Sequence, residues 1–195
     1  MTSLTYKGIT GFFNPPEAEL YNHIVSLYPE GKLIEIGTWK GLSISTIIEL
    51  SKKLNYQLVA CVDTWEGSKG EILKKDGSPS AHYEALEKDL YEVFKSNIIN
   101  NIGQEYWNLI TPMKMKSIEA AEKFEDNYLD IVFIDSDHSY ESVCQDIDAW
   151  LPKIRYSGIL FGHDINWHEG VEQAVNEKFK STEWINTHNC WVYQK

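Results

Sequence analysis

Five short apolar runs punctuate this chain, and three of them stop on an aspartate. Residues 33–36, 57–63, 107–111, 130–135 and 158–164 each read as a strand, near-continuous in Val, Ile and Leu rather than alternating, as strands buried on both faces are. Helical spacing marks the stretches between most of them. Leu20, Ile24 and Leu27 follow a cap at Asn14 and the prolines Pro15 and Pro16, which a first helical turn tolerates. Ile44, Ile47, Ile48 and Leu54 form a second face, Tyr140, Val143, Cys144, Ile147 and Leu151 a third, and Val171, Ala174, Val175 and Phe179 a fourth. Strands alternating with helices predict an α/β fold whose parallel sheet is covered on both faces. The tail, 183–195, reads as two short strands about Asn189. Ligands in such sheets bind beyond the carboxyl ends of the strands. Asp63, Asp135 and Asp164, with Glu35 near the end of the first strand, are therefore expected on one edge.

The chain has 195 residues, enough for one domain and its core, so 1–195 is read as a single unit with an N-terminal helical segment at 1–32. A formal net charge of -11 argues against a nucleic-acid or anionic-membrane partner. Cys61, Cys144 and Cys190 are odd in number and far apart, neither a disulfide framework nor a zinc spacing, and they suit the reducing cytoplasm. The N-terminal residues lack a signal-peptide pattern, and no apolar run approaches the roughly 20 residues that span a bilayer. A homo-oligomer stays open. Residues 66–83 are polar and rich in Gly, Ser and Lys, and longer than a usual connection. They are expected to form a lid, with Trp65, His82 and Tyr83 facing a ligand.

The most informative stretch is LIEIGTWKGLSIS, residues 33–45. A dinucleotide-binding turn needs G-x-G-x-x-G, with its second glycine against the pyrophosphate. Trp39 stands in that place here, and Glu35 would repel phosphate. A ligand bearing an ammonium and a carboxylate fits better, and S-adenosylmethionine carries both. Glu35 would attract the ammonium, and backbone N–H groups near Ser43 at a helix start would hold the carboxylate. Asp63, about 22 residues after Gly41, is placed to accept both ribose hydroxyls.

Residues 35–43 resemble the first motif of class I S-adenosylmethionine-dependent methyltransferases, closest to the small O-methyltransferases with E-x-G-x-aromatic-x-G-x-S. VDTWEG, 62–67, resembles their second motif. The stretch 130–164, with its I-D-x-D-H-S-Y and G-H-D, resembles later motifs of catechol-type and macrocin-type relatives. The resemblance implies a Rossmann-like three-layer sandwich: a mainly parallel seven-stranded sheet with an antiparallel C-terminal hairpin. It implies a cofactor site of Glu35, Gly37, Thr38, Trp39, Gly41, Ser43, Asp63, Thr64, Trp65 and Asp135, with Ser117 against the adenine.

Methyl transfer to oxygen is an in-line displacement that needs the acceptor positioned and its hydroxyl proton removed. A divalent metal, magnesium or manganese, can assist by lowering the acceptor's pKa. Asp135 and Asp164 end neighbouring strands and match the metal acids of the catechol-type enzymes. The Asn that follows the second acid in those enzymes is Ile165 here, and His163 is the expected third ligand. His138, three residues after Asp135, stands where those enzymes carry a lysine base, so His138 and Asp135 are the expected catalytic pair. His168 is expected to face substrate, and His23 and His188 to be structural. The function expected is methyl transfer to a hydroxyl of a small molecule or sugar. A hydroxylase-like enzyme on the same fold, or a non-catalytic adenosylmethionine-binding module, are the alternatives.

Overall fold

The computed structural model describes residues 4–67, 81–181 and 183–195. The bulk of the expected lid at 66–83 lies outside the described residues, and so do the side chains of His82 and Tyr83. The first described elements form a hairpin, β1 (Leu4–Tyr6) and β2 (Ile9–Gly11), turned by Lys7 and Gly8 at positive φ. The sequence reading assigns 1–32 to a helical segment and misses this hairpin. The segment's helix, α1 (Pro15–Ser26), follows. Asn14 and Glu17 cap it reciprocally, each supplying the other's backbone N–H with an acceptor.

β3 (Lys32–Ile36), α2 (Leu42–Lys53) and β4 (Leu58–Asp63) make the first βαβ unit. Three helices come next, α3 (Ala81–Glu87), α4 (Leu90–Asn97) and α5 (Gln104–Trp107), with a π-helical turn at Ile98–Ile102 before α5. β5 (Ile110–Lys114) lies later than the strand expected at 107–111, because Gly103 opens a helix that takes in Trp107. Pro112 is tolerated inside it because β5 is the sheet's edge. After α6 (Ser117–Ala121), β6 (Leu129–Ile134), α7 (Tyr140–Trp150), β7 (Ile154–Gly162) and α8 (Glu169–Lys178), the chain ends in the hairpin β8 (Trp184–Thr187) and β9 (Cys190–Gln194). His188 and Asn189, both at positive φ, make its two-residue turn, the conformation such hairpins prefer.

The sheet order is β5-β4-β3-β6-β7-β9-β8. β5, β4, β3, β6 and β7 are parallel, and β9 and β8 close the sheet antiparallel. This is the mainly parallel seven-stranded sheet with a terminal hairpin that the resemblance implies. Each central strand divides its residues between two cores. Leu33, Val59, Cys61, Ile131, Phe133, Ile159 and Phe161 face one side, where they meet α1 and α2. Ile34, Ile36, Ala60, Val62, Val132, Ile134 and Leu160 face the other, where α7 and α8 pack. Phe133 and Phe161 stack with centroids 4.5 Å apart, and Tyr21 of α1 lies against both. Strand order reverses between β3 and β6, so a crevice opens at their carboxyl ends.

Candidate active site

The crevice is shaped by a glycine. Gly37, directly after β3, has φ +85°, and a β-carbon there would lie 2.0 Å from the carbonyl oxygen of Asp135 after β6. Only glycine permits β3 and β6 to end this close together. Gly41, also at φ +85°, caps α2, and a side chain on it would strike Phe94 at 2.7 Å. Between them Trp39 holds a positive φ of 46°, and Trp65, after β4, one of 53°. Such a conformation is strained for a bulky residue and marks functional turns.

Asp63 ties these turns together. Its carboxylate accepts the Trp39 backbone N–H at 2.8 Å and that of Trp65 at 2.7 Å, and the Trp65 indole donates to the Trp39 carbonyl at 2.8 Å. A carboxylate has about four lone-pair positions, so acceptor capacity remains after these two bonds. Burial raises the Asp63 pKa, and the bonds from Trp65 and Trp39 oppose that rise. Thr64 continues from Asp63 into the turn. Thr38 Oγ1 and Trp39 Nε1 are buried at this turn with no hydrogen-bond partner among the described residues. Orphaned polar atoms beside a glycine cradle are what a site for a polar cofactor shows, so the residues present fit adenosylmethionine. Ser117, at the start of α6, accepts a hydrogen bond from the Trp150 indole at 2.8 Å.

Glu35 is wholly buried; Ser43 donates to one of its oxygens at 2.7 Å and Tyr21 to the other at 3.2 Å. Burial pushes its pKa up to about 8, against the partial relief of the Ser43 bond. The acid therefore braces the first turn of α2 from beneath.

A second cluster lies beyond β6 and β7. Asp164 is buried, in left-handed conformation at φ 63°, and accepts from the Asn189 amide at 3.0 Å. His163 is enclosed. Its Nε2 stands 3.1 Å from Glu17 of α1, and its Nδ1 3.5 Å from Asp135 and 3.3 Å from Asp164. Burial disfavours its charge, yet Asp135, Glu17 and Asp164 outweigh that and raise its pKa to about 11. Burial likewise raises the Asp135 pKa, but His163 and His138 hold it below the ordinary carboxylate range. His138 Nε2 points between the acids, 3.2 Å from Asp164 and 3.7 Å from Asp135. The structure thus brings Asp135, His138, His163 and Asp164 together, as the sequence predicts. His138 Nε2 is itself enclosed, so this nitrogen does not face an acceptor.

Residues 34–165 match the family described as Methyltransferase domain. The chain belongs to that family. It is 23% identical over 165 residues to the uncharacterized protein y4gI of Sinorhizobium fredii, a match covering 81% of this chain and 16% of that protein. Among solved structures it is similar to the O-methyltransferase NovP, with a TM-score of 0.63, 18% identity, and coverage of 92% of this chain and 79% of that one. It is similar also to a SAM-dependent O-methyltransferase from Thermotoga maritima (TM-score 0.62, 11% identity, 95% of this chain and 66% of that one). A third is the calicheamicin methyltransferase CalS11 (TM-score 0.58, 10% identity, 93% and 80%).

Beside the His–Asp cluster of this methyltransferase domain lies a groove of about 450 Å³, lined by Asn14, Pro16, Glu17, Asn166, Trp167, His188 and Asn189. Glu17 and Asn189 belong to both the groove and the cluster. Trp167 is 60% exposed. His188, read as structural, is part of the groove's wall. The sequence reading passes over Glu17 and Asn189. Glu17 is legible only as a helix cap, three residues after Asn14, and nothing along the chain shows that the same carboxylate reaches His163. Among the described residues no helix is long and apolar enough to cross a membrane.

Proposed function

We propose that this chain is an S-adenosylmethionine-dependent methyltransferase acting on a hydroxyl of a small molecule or sugar. The observation that carries the reading is the Gly37–Gly41 turn pinned by Asp63 at the switch in strand order, with Thr38 and Trp39 polar atoms unpartnered inside it. Family membership supports the same chemistry. In this reading Asp63 takes the ribose hydroxyls, the start of α2 at Ser43 takes the cofactor's carboxylate, and Glu35 holds Ser43 in place. Thr64, Trp65 and Ser117 line the nucleoside side.

The acceptor enters by the groove past Trp167. Asp135, whose side chain is 24% exposed, meets its hydroxyl and aims it toward the methyl, while His138 holds Asp135 and Asp164 in register. Asp135, Asp164 and His163 also fit a divalent metal: their ligand atoms lie within 4.8 Å of one another, and Glu17 behind His163 is the carboxylate that commonly orients a ligating imidazole. When bound, such an ion supplies Lewis acidity that lowers the pKa of the acceptor's hydroxyl. The free cysteines suit a reducing cytoplasm. The test is mass-spectrometric detection of methyl transfer from labelled adenosylmethionine to a panel of sugars and small phenols. Labelled product that disappears with Asp135→Asn is expected. No product and no binding of the demethylated cofactor would remove the reading.

A further inference from the structure

Asp164 has two carboxylate oxygens, and they face different company. Oδ1 is engaged by the Asn189 amide at 3.0 Å and lies 3.3 Å from His163 Nδ1. Oδ2 looks the other way, 3.2 Å from His138 Nε2 and 3.8 Å from His168 Nε2. The ligand atoms of His138, Asp164 and His168 lie within 4.8 Å of one another. We infer that His138, Asp164 and His168 form a second metal site, on the Oδ2 side of Asp164, for a divalent transition ion rather than magnesium.

Four observations converge on it. Two ligand atoms each about 2.1 Å from one ion, at angles between roughly 90° and 130°, stand about 3.0–3.8 Å apart. The 3.2 and 3.8 Å separations from Asp164 Oδ2 fall in that interval. His138 Nε2 is a buried nitrogen with no hydrogen-bond partner among the described residues, although a carboxylate lies close by. It is near enough to share an ion with Asp164 and is not aligned to share a proton with it.

The set is also held close. The His138 and His168 rings lie side by side, centroids 4.2 Å apart and 24° from parallel, so both rings turn about χ2 to aim a nitrogen at one ion. The backbone N–H groups of Trp167 and His168 both donate to the Asp164 carbonyl at 3.1 Å, so one tight turn lifts His168 over the acid four residues before it. α8 starts close against the His138 turn, where a β-carbon on Gly170 would meet the His138 carbonyl at 2.5 Å. Finally, the side chains of His138 and His168 are one third exposed, at 33% and 37%, whereas that of His163 is 2% exposed. With His138 Nε2 and Asp164 enclosed, His168 forms the solvent side of the set.

The donor set decides the ion. Two imidazoles and one carboxylate suit manganese, iron, cobalt or zinc, whereas magnesium asks for oxygen ligands in near-octahedral array. The site shares Asp164 with the ligand set proposed above but does not depend on methyl transfer. The full chain, stripped with chelator, is titrated with Co(II) and followed by its visible absorption, then with Zn(II) and Mg(II) by calorimetry. Saturable Co(II) absorption and Zn(II) affinity at least a hundredfold above that for Mg(II) are expected. His168→Ala and His138→Ala, each checked for folding by circular dichroism, should each weaken Co(II) binding at least tenfold and leave adenosylhomocysteine affinity unchanged. Asp135→Asn, which disables the other ligand set, should still show saturable Co(II) absorption, and adding His138→Ala or His168→Ala in that background should weaken it at least tenfold. In the Asp135→Asn background, Co(II) binding that stays within tenfold when His138→Ala or His168→Ala is added overturns the inference. So does a spectrum lost with Asp135→Asn but kept with His168→Ala, which would put the ion in the other set. Failure of adenosylhomocysteine to bind would count against the methyltransferase reading and leave the metal result standing.

Discussion

Replacing Glu35 with glutamine tests whether a carboxyl group at the heart of the fold is neutral at physiological pH. Glu35 is fully buried, and its pKa rises from 4.5 to about 8 because burial penalises its charge. In the unfolded chain the group ionises near pH 4.5, so between there and about pH 8 the folded state binds one proton more. A raised folded pKa makes a contribution that is intact below pH 4.5, erodes as pH rises, and is gone above about 8. Each pH unit within that window costs about 1.4 kcal/mol, with a ceiling near 5 kcal/mol over the whole of it. Glutamine has no such window. Its amide replaces one acceptor oxygen facing Ser43 or Tyr21, an offset that does not vary with pH. Urea unfolding of wild type and Glu35→Gln at pH 5.5, 6.5 and 7.5 should therefore show the variant gaining on wild type by about 2–3 kcal/mol across the series. Other titrating groups, His163 among them, cancel in the difference. Parallel stability curves would mean that Glu35 titrates as an ordinary carboxylate, and the bracing of α2 by a neutral acid would be refuted.

Gly37→Ala should lower stability far beyond the 1–2 kcal/mol of a left-handed residue, because its β-carbon meets the Asp135 carbonyl at 2.0 Å; a folded variant with wild-type melting temperature would contradict that. Phe133→Ala, which removes a ring stacked on Phe161 and tilted against Tyr21, should cost about 3–5 kcal/mol by urea unfolding while the secondary structure persists in far-ultraviolet circular dichroism. Asp135→Asn, Asp164→Asn and chelation of the wild type should each reduce turnover yet leave adenosylhomocysteine binding measurable by calorimetry; full activity after thorough chelation would rule out a metal in the reaction.

The parts of the fold legible in the sequence are those where local pattern and burial agree. Residues 130–135 and 33–36 are apolar throughout because the strands they form are covered on both faces, and Gly37 and Gly41 stand out because no other residue suits those turns. The hairpin at Leu4–Gly11 escapes because two three-residue strands carry too few residues for a period to register. The third strand is placed early because Trp107 and Leu109 are apolar for a different reason: they pack on the helical core beside α4. Within the candidate site, Asp63, Asp135, His138, His163 and Asp164 can be named beforehand because they stand at strand ends, and the last four lie together in the structure. The bonds of Glu35 to Ser43 and Tyr21 are not legible beforehand, because its place in the chain does not tell which face of β3 it takes. Glu17 and Asn189 are invisible beforehand, since Glu17 reaches His163 across most of the chain and Asn189 reaches Asp164 only once the terminal hairpin folds back beside β7.

The most direct measurement is a calorimetric titration of the wild-type chain and Asp63→Ala with S-adenosylhomocysteine and, separately, with NAD. One saturable micromolar site for S-adenosylhomocysteine in the wild type, no NAD binding, and affinity weakened by about 1.5–3 kcal/mol in Asp63→Ala are expected. No heat with S-adenosylhomocysteine alongside saturable binding of NAD would contradict the adenosylmethionine assignment.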